Sequence, residues 1–358
     1  MALYKFEQLA TNCTAKRTPV PSDYPYYIGL EHLDTKCLTV KRWGSDVPIK
    51  GDKLIMHKGD ILLGKRNAYL RRAAIAPHDG LFSAHGMVLQ PKRNVIDKDF
   101  FALFIASDYF FDEAIRISVG SLSPTINWKD LKELTFDIPD MEKQKKIAKV
   151  LWSILNTIDA YDSAVSQTQL LVKAKYIKMF GDINNGEFKY PEVELSDICF
   201  RKASTLQMNK LQDNNGKYPL FGAAGLAKNI DFYESTDPYL GVVKDGAGVG
   251  RIMQLPPKSS VLGTMEYVYP IKSVDINFLE STLNFLDIGS GVSGITIPHI
   301  YFKNYSKKHV CLPPKEKQSE FNSFVLSSKN YVDSILKKKQ NLEHIYSKII
   351  TNTFLKGE

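Results

Sequence analysis

Gly120-Ser121-Leu122-Ser123-Pro124-Thr125-Ile126-Asn127-Trp128-Lys129-Asp130 is answered 174 residues later, without a gap, by Gly294, Pro298, Ile300, Phe302, Lys303 and Asn304. The same register carries Pro139, Glu142, Lys143 and Gln144 onto Pro313, Glu316, Lys317 and Gln318. It also sets Ile158 and Asp159 against Val332 and Asp333, and Phe180 against Phe354. A chain that repeats itself once has two similar halves and an approximate two-fold axis. Duplex DNA is the partner that most naturally shares such an axis.

Each copy of the repeat runs into a helical segment. From Glu142 to Phe180 no Gly or Pro interrupts the chain. Ile147, Leu151, Ile154, Ile158, Tyr161, Val165, Thr168, Val172, Tyr176 and Met179 alternate mostly by fours and threes, the seam of a coiled coil. Gly181 and the Asn184-Asn185-Gly186 turn end it. The segment from Glu316 to Leu355 repeats the pattern with Phe321, Val325, Val332, Ile335, Leu342, Tyr346 and Ile350. Ser328 and Lys339 stand on its seam where the first has Ile154 and Val165, so looser packing or a partner-facing surface is expected there. Each helix of roughly 38 residues would reach about 57 Å. Two equal stripes, each following a globular domain, predict an intramolecular antiparallel pair acting as a spacer.

The globular parts are rich in short strand-like runs such as Tyr26-Tyr27-Ile28, Asp60-Ile61-Leu62-Leu63 and Gly86-Met87-Val88-Leu89. They align in a second register offset by 179: Lys65, Ala68, Arg72, Pro77 and Pro91 match Lys244, Ala247, Arg251, Pro256 and Pro270. Five residues are lost before the 174 register begins. The frame is shared but the loops differ. The first reads Lys65-Arg66-Asn67-Ala68-Tyr69-Leu70-Arg71-Arg72, the second Lys244-Asp245-Gly246-Ala247-Gly248-Val249-Gly250-Arg251. Arginine and asparagine read guanine and adenine edges bidentately, and lysine and arginine also clamp phosphates. Glycines would let backbone amides approach a phosphate or base closely. A solvated basic hairpin is the bland alternative for the first loop.

The 358 residues allow two domains, and a net charge of +8 favours a polyanionic partner. Cys13, Cys37, Cys199 and Cys311 are isolated, which argues against a zinc site or disulfide framework and fits a reducing compartment. No signal peptide and no membrane-spanning apolar run is visible, so a cytoplasmic protein without membrane association is expected.

Taken with the motif from Gly120-Ser121 through Trp128-Lys129-Asp130-Leu131, the Phe136-Asp137-Ile138-Pro139 segment and Glu142-Lys143-Gln144, the chain resembles a specificity subunit of type I restriction–modification systems. The echo from Gly294 through Leu312-Pro313-Pro314 to Gln318 strengthens the likeness. So do Gly59-Asp60-Ile61-Leu62, Ser83 to His85, Tyr218-Pro219-Leu220-Phe221-Gly222 and the loop from Asp245 to Arg251. The first proline segment departs from the pattern, reading Pro139-Asp140 where the second keeps Pro313-Pro314.

The resemblance implies an α+β fold with two similar target recognition domains, separated by two long antiparallel coiled-coil helices with internal pseudo-two-fold symmetry. The expected segments are a recognition domain over 1–140, a spacer helix over 141–182, a second recognition domain over 183–314 and a second helix over 315–358. It implies readout of a bipartite, asymmetric double-stranded DNA target and docking of two methyltransferase subunits through the helices. Whether restriction and translocase subunits also join is left open. No catalysis and no cofactor is expected on this chain; S-adenosylmethionine and ATP with Mg²⁺ belong to the partner subunits. The expected DNA-contacting residues are Lys65, Arg66, Asn67, Tyr69, Arg71 and Arg72, with Ser83 and His85 on a neighbouring strand. In the second domain they are Lys244, Gly246, Gly248 and Arg251, with Thr264 in the slot of His85.

Enzymatic readings find little support. Gly246, Gly248 and Gly250 lack the G-x-G-x-x-G fingerprint, and Pro256-Pro257 excludes the helix that would hold a phosphate. Asp237-Pro238-Tyr239 is a fragment of an amino-methyltransferase signature that a turn before a strand explains. There is no Walker A sequence, and the seven histidines lack metal-ligand spacing. Pro139-Asp140 with Glu142 and Lys143 loosely resembles a nuclease motif, but capping the helix is the expected duty. The alternative from another class is a coiled-coil interaction scaffold without specific DNA readout. A solitary methyltransferase is a further alternative.

Overall fold

A computed structural model describes residues 1–246, 248–291 and 298–354. Ala247, Gly294 and Leu355, which figure in the sequence reading, lie outside the described residues. The long helices span Met141–Phe180 and Lys315–Phe354, 40 residues each. As expected from the capping argument, the Asp140 carboxylate accepts the Lys143 amide at 2.9 Å. Gly181 terminates the first helix at φ +99°, a conformation an L side chain adopts only with strain.

The chain divides into two compact units, Met1–Ala160 with Lys338–Glu358, and Tyr161–Lys337. Both are α+β and repeat one skeleton. In the first, a four-stranded antiparallel sheet has the order Ala10–Cys13, Gly86–Pro91, Ile61–Gly64, Ala73–Ile75. In the second, the order is Cys199–Ala203, Met265–Pro270, Tyr239–Val243, Ile252–Leu255. The registers coincide: Leu63 faces Met87 as Val242 faces Glu266, and Ala10 faces Pro91 as Cys199 faces Pro270. Each unit adds a two-stranded ribbon, Ala2–Lys5 with Thr135–Ile138 and Glu192–Glu194 with His309–Cys311. Each also has one parallel pairing, Tyr27–Ile28 with Gly80–Phe82 and Tyr218–Gly222 with Ser260–Val261.

The five residues lost between the two registers fall where the units diverge. The first unit follows its sheet with helices Lys98–Ala106 and Asp108–Arg116. The second has Ile276–Phe285 and then a 3-10 turn, Ile288–Gly291.

Within each unit the long helices run antiparallel. In the first, Ala148 and Leu151 near the start of one helix share a core with Tyr346, Ile350 and Phe354 near the end of the other. In the second, Val172, Tyr176 and Phe180 near the end of the first helix join Phe321 and Val325 near the start of the second. The terminal phenylalanines of the repeat exchange roles. Phe354 packs on Phe100 at 5.8 Å and stacks on Tyr109 at 5.2 Å, while Phe180 meets Phe278 edge-on at 5.1 Å. Ser328 sits half-buried on the seam with its hydroxyl bonded to the Phe324 carbonyl, and Lys339 lies near Glu343 at 3.9 Å.

The glutamine of the Glu-Lys-Gln motif explains why that motif recurs. Gln144, 1% exposed, donates to the carbonyls of Pro139 at 2.8 Å and Val95 at 3.3 Å and accepts the Asp97 amide at 2.7 Å. Gln318, 2% exposed, makes the same three bonds to Pro313 at 2.8 Å, Ser273 at 3.2 Å and Asp275 at 2.7 Å. Asp97 and Asp275 cap the helices that follow them. One buried amide thus ties the long helix, the preceding proline turn and a capped helix of the domain. Gln144→Ala and Gln318→Ala should each lower stability by about 2–3 kcal/mol, since buried peptide groups lose their partners. Urea midpoints within a few tenths molar of the parent would contradict this.

Candidate nucleic-acid interface

The Gly120-to-Asp130 motif and its echo clasp the loops expected to touch DNA. In the first unit Arg66 forms a β-bridge with Thr125, the Lys65 carbonyl accepts the Ile126 amide at 2.9 Å, and the Ala68 amide donates to the Pro124 carbonyl at 3.1 Å. In the second, Asp245 bridges His299, the Lys244 carbonyl accepts from Ile300 at 3.0 Å, and the Gly246 amide donates to Pro298 at 3.0 Å. The proline-isoleucine segment therefore presents each loop from its own backbone.

On the first loop, Arg66 and Tyr69 are exposed, Tyr69 by 54%. Arg66 donates through Nε to the Ser123 hydroxyl at 3.0 Å, and that hydroxyl donates to Asn67 Oδ1 at 2.7 Å. Asn67 and Arg71 both sit in left-handed backbone, at φ +54° and +47°, flanking the turn Ala68–Leu70. Asparagine tolerates that region; arginine does so only when its surroundings hold it. Arg71 is held by Asp108 at 2.7 Å and Asp112 at 2.5 Å, carboxylates of the helix Asp108–Arg116. Its guanidinium thus holds the loop's shape. Arg72 is half-buried, and its Nε has no hydrogen-bond partner among the described residues. Burial, with the like charge of Lys16 added, pulls the Lys65 ammonium below its ordinary pKa.

Ser83 and His85 lie in the turn between strands Gly80–Phe82 and Gly86–Pro91, not on a strand as expected. His85 is exposed. Ser83 is 5% exposed, and its hydroxyl accepts the His85 amide at 3.3 Å within that turn. Thr264, the counterpart of His85, is exposed and accepts the Lys244 and Asp245 amides at its carbonyl.

The glycine loop differs from expectation in a second way. Gly246, Gly248 and Gly250 all take positive φ, +84°, +91° and +85°. However, the Gly246 and Gly250 amides are spent on the Pro298 and Val243 carbonyls, which removes them as donors to a phosphate. Gly250 is required for another reason: a side chain there would strike the Gly289 backbone at 2.5 Å. Exposed Arg251 donates to the Ala223 carbonyl at 2.8 Å.

Sequence reading missed the acid at the centre of this loop. Asp245 pairs with Lys244 and accepts from His299 Nδ1 at 2.7 Å. Burial raises its pKa, but the bonds from Lys244 and His299 outweigh that and hold it below the usual 3.8. Ser123, Asp108 and Asp112 were missed as well, since a contact across 37 to 57 residues leaves no local pattern.

Residues 19–163 match the family model for the type I restriction modification DNA specificity domain. That stretch is similar to a type I restriction–modification DNA specificity domain. It is 25% identical over 319 residues to the MjaIX type I restriction enzyme specificity subunit of Methanocaldococcus jannaschii, covering 76% of this chain and 71% of that one. It is 26% identical over 166 residues to the EcoDI specificity subunit of Escherichia coli, covering 45% of this chain and 36% of that one. Across two curated relatives it matches, the chain spans less than half of their length, 46% and 36%. A crystal structure of the type I system S subunit from M. genitalium shares the fold, with a TM-score of 0.63 at 15% identity, covering 99% of this chain and 96% of that one. The specificity-subunit family read from the sequence is borne out.

Because Asp245 has a depressed folded pKa, its stabilisation is complete above about pH 3.8 and fades as pH falls through the lower folded value. Asp245→Asn should therefore flatten the loss of melting temperature on acidification between about pH 5 and 2. An unchanged acid limb would remove Asp245 from that role.

Proposed function

We propose that this chain is the DNA-reading subunit of a type I restriction–modification enzyme. One unit grips each half of a bipartite, asymmetric duplex target, and the chain performs no chemistry itself. The observation that carries the reading is the pair of unlike loops held by one clasp at matched registers. A cationic loop (Arg66, Asn67, Tyr69, Arg72) and an acid-centred glycine loop (Lys244, Asp245, Arg251) can read different short sequences from the same frame.

In this reading residues 1–140 and 183–314 are the recognition domains. The helical segments 141–182 and 315–358 set the separation of the half-sites and dock two methyltransferase subunits. Those subunits carry S-adenosylmethionine, and ATP with Mg²⁺ serves a restriction subunit where one joins. Among the described residues, no His/Cys/Asp/Glu group could hold a metal ion and no helix is long and apolar enough to cross a membrane. We place the complex in the cytoplasm, where its DNA is.

Binding of the full chain, with its partner subunits, to duplexes of varied sequence tests this. Arg66→Ala and Arg72→Ala should each cost about 1–3 kcal/mol on the cognate sequence and relax one base position. Affinity should fall steeply with salt, because binding releases the counterions condensed on the phosphates. A chain that acts only as a coiled-coil scaffold would show little duplex binding at any salt, and that result would overturn the proposal.

A further inference from the structure

Behind the cationic loop of the first unit lies a pocket of about 270 Å³, lined by Asn12, Thr14, Lys16, Lys65, Met87 and Trp128 among others. Two lysines, half-buried Lys65 and exposed Lys16, line this space. Among the described residues neither is paired with a carboxylate, and the charge acting on Lys65 is the like charge of Lys16. Like charges in a partly desolvated space repel, so an arrangement of this kind is stabilised by an anion.

The second unit provides an internal comparison. Lys244 occupies the place of Lys65, Arg201 that of Asn12, and Glu266 that of Met87, by the strand registers and the clasp. There Glu266, 1% exposed, accepts the Tyr305 hydroxyl at 2.5 Å and lies 3.6 Å from the Arg201 guanidinium, with Lys244 acting on it electrostatically. The second unit therefore brings its own carboxylate to this place, although burial pushes its pKa up. The first unit has the thioether of Met87 instead, and buried Leu131 where Tyr305 stands. It keeps one cation, Lys65 for Lys244, has neutral Asn12 in place of Arg201, adds Lys16 and omits the carboxylate.

We propose that the first unit's pocket binds a phosphoryl anion, and that on DNA the occupant is a backbone phosphodiester of the half-site this unit reads. Lys16 and Lys65 supply the charge, and Asn12 and Thr14 supply neutral donors of the kind that bind phosphate oxygens. A phosphate held there fixes the unit's register on the duplex without reading a base. The Lys65 carbonyl bonded to Ile126 ties this grip to the clasp that presents Arg66 and Asn67. The assignment to DNA rests on the function proposed above; the affinity for phosphate does not.

The test is acylation of lysines on the full chain by an amine-reactive ester, read peptide by peptide by mass spectrometry. It is run with inorganic phosphate, with a duplex and with neither. Phosphate and duplex should each slow labelling of Lys65 several-fold. Lys16→Gln and, separately, Met87→Glu, which installs the second unit's internal acid, should abolish the phosphate effect. Lys65→Gln should weaken binding to all duplexes alike and lower the salt slope by about one. Near-ultraviolet circular dichroism reports the fold of each variant, and Lys16→Gln alone suffices if Met87→Glu fails to fold.

Labelling of Lys65 indifferent to phosphate overturns the pocket. Protection by phosphate but not by a duplex the chain binds overturns the phosphodiester in favour of a free phosphoryl ligand. A chain that binds no duplex overturns the DNA-reading proposal, while the phosphate arm still decides the pocket.

Discussion

A buried side-chain amide is the constraint on which each unit rests. Gln144 and Gln318 are almost wholly removed from water, and each must satisfy a carboxamide there or forfeit stability. Each does so with the same three backbone groups: the proline turn before its helix, the strand-to-helix connection of its domain, and the amide of that domain's helix cap. Few other geometries satisfy all three. The direction in which each long helix leaves its domain is thereby fixed.

The clasp on the loops works by a different economy. Its bonds run between backbone groups, so the loop's side chains stay free to vary. One copy carries Lys65, Arg66 and Arg72 and recruits Asp108 and Asp112 to hold Arg71. The other carries three glycines and balances Lys244 and His299 against Asp245. A duplicated frame that constrains backbone and releases side chains lets two readers diverge without refolding. The buried Glu266 of one unit and Met87 of the other carry the same divergence behind the loops, where it sets the charge available to a phosphate.

Much of this was legible in the residues. The heptad seam located both long helices to within a residue at each described end. The two registers, offset by 179 and 174, paired the two loops on one shared frame. A strand, Ile252–Leu255, follows the glycine loop where a nucleotide loop would need a helix. Other surroundings were not legible. Ser83 looked available because serine is polar, yet it closes a buried turn. Arg71 looked like a base reader because it sits among cations, yet it answers two aspartates on a helix 37 to 41 residues on. The glycine amides looked free, yet two of the three are bonded inward.

The sequence by itself determined the duplication, the helix lengths, the placement of the unlike loops and the family they belong to. Each is written in spacing, and spacing survives in one dimension. Only the tertiary structure decided which polar groups remain available to a ligand. Availability depends on partners far away in the chain: Asp108 for Arg71, Pro298 for Gly246, Tyr305 for Glu266. Nothing in local composition marks a group whose partner arrives only when the chain folds.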